Sequence, residues 1–278
     1  MKPAAAVIQL TRVWRQICPN QVPYPVDCRV LAEALNIKVH GEPIDDKFEA
    51  QLRIREVNGR KRGVIIFNDN IREEGRKNFC ISHEIGHSSC HANQAEFFCS
   101  SKDLNDIAPH PQNLEQEANF FAANLLMPPD DFRDQMKRQL PTLSTVSRLA
   151  NERYRTSLTA TCTRLLELSP RECYGMVVIN GNTVVRWAAS KEMRWTGFSF
   201  KKGHRLAVAA INHNLEGERV ESDIWLSEKN APRWELTQSA VYMPYYDQTL
   251  VLVTAERVGE FEEFEEPDPT PPSAASYR

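Results

Sequence analysis

Two histidines with three residues between them, and a glutamate directly after the first, stand in the run Asn78-Phe-Cys80-Ile-Ser-His83-Glu84-Ile-Gly86-His87-Ser-Ser-Cys90-His91. Residues four apart lie on one face of a helix, so His83 and His87 can offer two imidazole nitrogens to one tetrahedral cation. Glu84 lies about 100° further round the helix. From there it reaches a water beside the cation rather than the cation itself. Zn²⁺ suits such a set, and the chemistry implied is hydrolysis of a peptide bond with Glu84 as general base. Phe79, Ile81 and Ile85 supply apolar surface to bury the helix, and Gly86 removes bulk beside the second histidine.

A hydrolytic zinc site takes three protein ligands and keeps a fourth position open. Candidates for the third are Glu115, Glu117, His91, His110 and a cysteine. Residues 114–127 read as a helix stopped by Pro128-Pro129, on which Glu115 and Asn119 share a face. That facing favours Glu115 as ligand, with Asn119 orienting a histidine from behind, while Glu117 points elsewhere. A further donor for the oxyanion is sought among His91, His110 and Tyr154. Cys99 could place a thiolate on the open position and silence the site; Cys90 and Cys80, about one turn from a ligand, are weaker candidates.

The elements that hold these residues follow from local pattern. A first helix is expected over 4–18, with Val7, Ile8, Leu10, Val13, Trp14 and Ile17 as its stripe, and a second over 27–35 behind an Asp27 cap. A short strand at 37–40 precedes a hairpin of 49–56 and 63–68 around Asn58-Gly59. The sheet would lie over the metal helix and offer an edge to an extended peptide. The metal helix should run over 71–91, and 92–113, holding Phe97-Phe98-Cys99, reads as a long loop without periodicity. Residues 130–168 read as helical and locally basic through Arg148, Arg153, Arg155 and Arg164. Strands return at 174–179 and 183–187 about Asn180-Gly181, then at 219–226 and 240–255, with a helix at 204–213. The acidic, proline-rich end reads as disordered.

The 278 residues, 41% apolar and 26% charged, describe an ordinary globular chain, and a net charge of −3 gives no global attraction to nucleic acid or anionic lipid. No apolar run approaches bilayer length, and the opening residues are interrupted by Thr11 and Arg12 before a signal-peptide core forms. A cytoplasmic protein without membrane contact is expected. Seven scattered cysteines without CxxC pairs fit reduced thiols rather than a disulfide framework.

His83-Glu-Ile-Gly-His87 followed by Glu115-Gln-Glu-Ala-Asn-Phe-Phe-Ala-Ala-Asn-Leu-Leu-Met-Pro128 resembles the ImmA/IrrE family of zinc metallopeptidases over roughly residues 20–168. The Glu-x-x-Ala-Asn portion is similar to the third-ligand motif of thermolysin-like enzymes. The resemblance implies His83, His87 and Glu115 as zinc ligands and Glu84 as base. It implies an α+β fold: a zincin-like domain with a small sheet over 1–130, a helical module over 131–169 and a strand-rich α+β sensory domain, GAF-like in some members, over 170–256, before the 257–278 tail. It also implies a helix-turn-helix repressor as substrate, cleaved to induce stress, DNA-damage, mobile-element or antiviral-defence genes. Domain order and length resemble the CapP type of bacterial defence operons. Single-stranded DNA, met by basic residues near 148–164 and 201–205, is the first expected activating signal, and a small ligand in the C-terminal domain is the second. The alternative is a non-proteolytic DNA- or protein-binding regulator with a structural zinc site.

Overall fold

The computed structural model describes residues 1–19, 24–44, 48–91, 96–100, 114–201, 203–206, 211–227 and 229–258. His110 and nearly all of the expected tail lie outside these residues.

Helix α1 (Pro3–Ile17) buries Ala6, Leu10 and Trp14, a stripe narrower than the pattern implies, since Ile8 and Ile17 face outward. Asp27 caps α2 (Cys28–Ala34), accepting from the N–H groups of Arg29 at 3.0 Å and Val30 at 3.2 Å. Those are donors that the first turn of a helix leaves without intrahelical partners. Strands β1 (Ile37–Glu42), β2 (Ala50–Val57), β3 (Arg60–Asn68) and β4 (Glu96–Cys99) form one sheet in the order β1-β3-β2-β4. The β2–β3 hairpin turns through Asn58 and Gly59 at positive φ, 53° and 72°, a turn hand that matches strand twist.

Strand β4 corrects the structureless loop expected over 92–113. It runs antiparallel to β2, with Phe97 opposite Leu52 and Cys99 opposite Ala50. A four-residue strand is too short to show a period, so β4 was legible only through its aromatic content.

Helix α3 (Glu74–Cys90) begins later than expected because Asn68 builds a turn ahead of it. The Asn68 side-chain oxygen accepts from the Asn70 N–H at 3.0 Å and its carbonyl from the Ile71 N–H at 3.3 Å, diverting backbone that a helix would use. Every residue from Cys80 to His87 is buried, so the helix is enclosed rather than amphipathic. Around it stand β2, β3, α1 and α4 (Leu114–Leu126). Two glycines permit this enclosure. A Cβ on Gly86 would come within 2.9 Å of the Phe121 ring on α4, and one on Gly75 within 2.2 Å of the Thr156 carbonyl carbon.

Helices α5 (Pro129–Met136), α6 (Leu143–Arg148) and α7 (Leu158–Leu168) follow, with a π-helical turn (Leu149–Tyr154) continuing α6. Arg153 pairs with Asp131. Buried Arg164 donates to the Met127 carbonyl at 3.0 Å and to Asn124 Oδ1 at 2.9 Å. Two of the four arginines that make this stretch basic in sequence therefore serve packing.

Strands β5 (Tyr174–Asn180), β6 (Thr183–Ala189), β7 (Asn214–Val220), β8 (Trp234–Met243) and β9 (Gln248–Arg257) make an antiparallel sheet, order β6-β5-β9-β8-β7, with α8 (Lys191–Trp195) after β6. Three expectations change here. Residues 240–255 belong to a hairpin that turns after Met243, with Tyr242 opposite Thr249. The strand expected to reach 226 ends at Val220 and gives way to a 3₁₀ turn, Ser222–Ile224. The described part of 204–213 is not helical: Val184 N–H donates to the His204 carbonyl and Leu206 N–H to that of Asn182, drawing this segment alongside the β5–β6 turn.

Alternation along β5 and β9 makes this sheet an interior wall. Met176, Val178, Leu250 and Leu252 join the core shared with the helices, while Val177, Ile179, Val251 and Val253 face a second core with Phe198 and Trp225. The sheet also touches the start of α3, where the Tyr246 hydroxyl donates to Glu73 Oε2 at 2.8 Å. Among the described residues no helix is long and apolar enough to cross a membrane.

Candidate metal centre

Three elements bring four potential ligand atoms together. Helix α3 presents His83 and His87, α4 presents Glu115 from its first turn, and β4 presents Cys99, and one ligand atom from each lies within 4.8 Å of all the others. His83 Nε2 is 3.0 Å from His87 Nε2, 3.0 Å from Glu115 Oε2 and 3.1 Å from Cys99 Sγ. His87 Nε2 stands 3.3 Å from Glu115 Oε2 and 3.7 Å from Cys99 Sγ, and the thiol is 3.6 Å from Glu115 Oε2. Ligand bonds of about 2.0–2.3 Å in a tetrahedron put ligand atoms roughly 3.3–3.7 Å apart. The observed edges come close to that figure.

Proton bookkeeping supports the same fit. His83 Nδ1 faces Asn119 Oδ1 at 2.9 Å, and only an N–H can satisfy an amide oxygen, so in a neutral ring His83 Nε2 carries a lone pair. That lone pair points at a carboxylate, a thiol and a second imidazole nitrogen. A divalent cation with nitrogen, oxygen and sulfur ligands resolves the convergence of so many acceptors.

Burial shapes the electrostatics. It pushes the His87 imidazole down to about 4, against the hydrogen bond with Glu115. Burial works against the Glu115 carboxylate too, but hydrogen bonds with both imidazoles outweigh it and hold that carboxyl well below its usual range. The Cys99 thiol is driven far up, by burial first and then by the charges of Glu84 and Glu115. A bound cation reverses that tendency, because a coordinating thiol is deprotonated. Glu84 is fully buried and neither carboxyl oxygen meets a partner in good hydrogen-bond geometry among the described residues; burial raises the carboxyl to about 7, against the opposing charge of His83 and the nearby Cys99 thiol.

The remaining sequence candidates take other places. Glu117 Oε2 lies 2.9 Å from His91 Nε2, and His91 Nδ1 lies 3.1 Å from His87 Nδ1, so neither residue joins the cluster. The Tyr154 hydroxyl donates to Asp131 at 2.7 Å inside the helical module, which removes it as an oxyanion donor. Cys80 turns to Glu49, 3.6 Å away, and Cys90 packs against the main core. Sequence reasoning missed Phe97, whose ring stacks on His87 at 4.2 Å and 23°; its position two residues before Cys99 on one strand face was the available signal.

A buried His83-Glu84-x-x-His87 helix, a sheet beside it and a glutamate from the next helix define a metallopeptidase-type domain. Residues 32–166 match the IrrE N-terminal-like domain of the peptidase M78 family, and the matched stretch holds all four clustered residues. A solved Mycobacterium tuberculosis transcriptional regulator aligns with a TM-score of 0.49 at 11% identity, over 91% of this chain and 88% of its own. No curated protein matches the chain.

Proposed function

We propose that the chain is a zinc endopeptidase that cleaves a helix-turn-helix repressor and thereby induces stress, mobile-element or antiphage-defence genes. The observation that carries this reading is Glu84: a fully buried carboxyl, adjacent to His83 of the metal-ligand cluster, with no ion-pair partner among the described residues. A purely structural site has no use for such a group. His83, His87 and Glu115 would hold Zn²⁺, which when bound supplies Lewis acidity toward a peptide carbonyl and acidifies water. Glu84 takes the proton of the attacking water and delivers it to the departing amine. Asn119 holds His83 in the tautomer that leaves Nε2 free.

Cys99 is the proposed restraint. Its backbone is tied to the sheet, the Glu49 N–H donating to its carbonyl at 2.9 Å, and its thiol reaches the ligand cluster. In this reading the thiolate fills the fourth position until a signal withdraws β4. The same closed set of four protein donors favours a second reading, a structural zinc in a non-proteolytic regulator. Single-stranded DNA is the first signal to test; among the described residues, exposed Arg148, Arg155, Lys201 and Arg205 are basic residues left to meet it.

Incubation with the repressor encoded beside the gene separates the two readings. Cys99→Ser should yield one discrete cut without inducer, and Cys99→Ser with Glu84→Gln none. If Cys99→Ser binds zinc and yet leaves the repressor whole under every inducing condition, the structural reading stands.

A further inference from the structure

The two metal-facing imidazoles are supported differently. His83 leans on the single amide of Asn119, whereas His87 Nδ1 meets another imidazole, His91 Nδ1 at 3.1 Å, whose far nitrogen Nε2 lies 2.9 Å from Glu117 Oε2. The His91 side chain is 7% exposed, so water is not its principal partner, and Glu117 at 45% exposure closes the row at the surface.

We propose that Glu117 and His91 are positioning residues for the metal centre, forming with His87 a proton-ordered chain that aims His87 Nε2 at the cation. The inference rests on the metal-centre reading above. With a cation on His87 Nε2, the protons of the row run in one direction. An ionised Glu117 only accepts, so His91 carries its proton on Nε2 and, in its neutral form, keeps a lone pair on Nδ1. That lone pair needs a donor, and His87 supplies it from Nδ1–H, which leaves His87 Nε2 as the lone-pair atom facing His83, Cys99 and Glu115. Carboxylate, imidazole and imidazole thus fix both the tautomer and the ring angle of the second ligand. Phe97, stacked on His87 at 4.2 Å, closes the other side of the ring. His91 follows His87 by four residues and caps the end of α3, so helix geometry sets their contact, while Glu117 arrives from the first turn of α4 just past Glu115.

Zinc affinity measured by competition with a chromophoric chelator tests the chain without reference to catalysis. His91→Leu should weaken zinc about 10–100-fold, the range for lost outer-shell partners. Glu117→Leu should weaken it less, since water can replace a half-exposed carboxylate. His91→Gln should restore most of the affinity, because an amide oxygen and nitrogen are spaced much as the two ring nitrogens are. Visible absorption of the Co²⁺-loaded protein should change in His91→Leu and return in His91→Gln. Unaltered unfolding midpoints of the metal-free variants show that the loss is local. The proposal is overturned if His91→Leu binds zinc as the wild type does, or if His91→Gln is as weak as His91→Leu. A wild type that binds no zinc removes the metal centre itself and the chain with it, a result distinct from either.

Discussion

Two glutamates are buried against α3 and receive opposite treatment. Glu49, 6% exposed at the edge of β2, is gripped through both oxygens by the Arg76 guanidinium and takes the Cys80 thiol at 3.6 Å. Glu84, 0% exposed on the helix itself, meets no partner in good hydrogen-bond geometry among the described residues. Burying an unpaired carboxylate is costly, and folding alone gives no reason to keep one. The contrast sets a carboxylate that holds the helix to the sheet against the one proposed above as the general base. Both sit on the same scaffold, so each serves as the other's control.

The largest effect should come from Glu84→Gln. Placed in the Cys99→Ser background, it should lower turnover of the repressor about 10²–10⁴-fold, while the urea midpoint stays level or rises because a buried carboxyl has been replaced by a neutral amide. Equal cleavage by the variant would break the comparison at its functional end. Glu49→Ala should do the reverse: it strands Arg76, partly buried with 27% of its side chain exposed, and should cost about 3 kcal/mol of stability in urea unfolding. If it unfolds like the wild type, Glu49 is not the structural member of the pair.

Gly86→Val comes next and tests the approach of α4 rather than either acid. Its added carbons meet Phe121, so stability should drop by about 1–3 kcal/mol, and zinc affinity should fall with it as Glu115 is pushed away. Smallest of all, Cys80→Ala should cost about 1 kcal/mol or less and leave zinc affinity where it was. A loss of zinc in Cys80→Ala would mean that the Glu49 side of the helix is not separate from the metal side.

What the amino-acid order determined alone is what helix and hairpin periodicity can carry. A spacing of four from His83 to His87, and again from Glu115 to Asn119, puts each pair on one face because a helix turns every 3.6 residues. Asn58-Gly59 specified its turn by the positive φ both residues tolerate, and Asp27 specified the start of α2 by the donors it accepts from. The α+β class was legible in part for that reason, while the likeness to a metallopeptidase family lay in the residue types of the His83–His87 and Glu115–Pro128 stretches.

Contacts between elements were decided only by the tertiary structure. No spacing rule says that a four-residue strand pairs with β2 and delivers Cys99 to the imidazoles, since strand pairing is a choice among partners distant in sequence. Glu117 pointed away from the ligand cluster, as expected of its place on the helix, but which residue it would meet depended on how α4 crosses α3, and Gly86 against Phe121 sets that crossing. The arginines of the helical module read as surface charge until packing turned Arg164 inward to carbonyl and amide oxygens. Local geometry set which residues share each helix face; the packing of helix, helix and strand decided which faces meet and brought Cys99 to them.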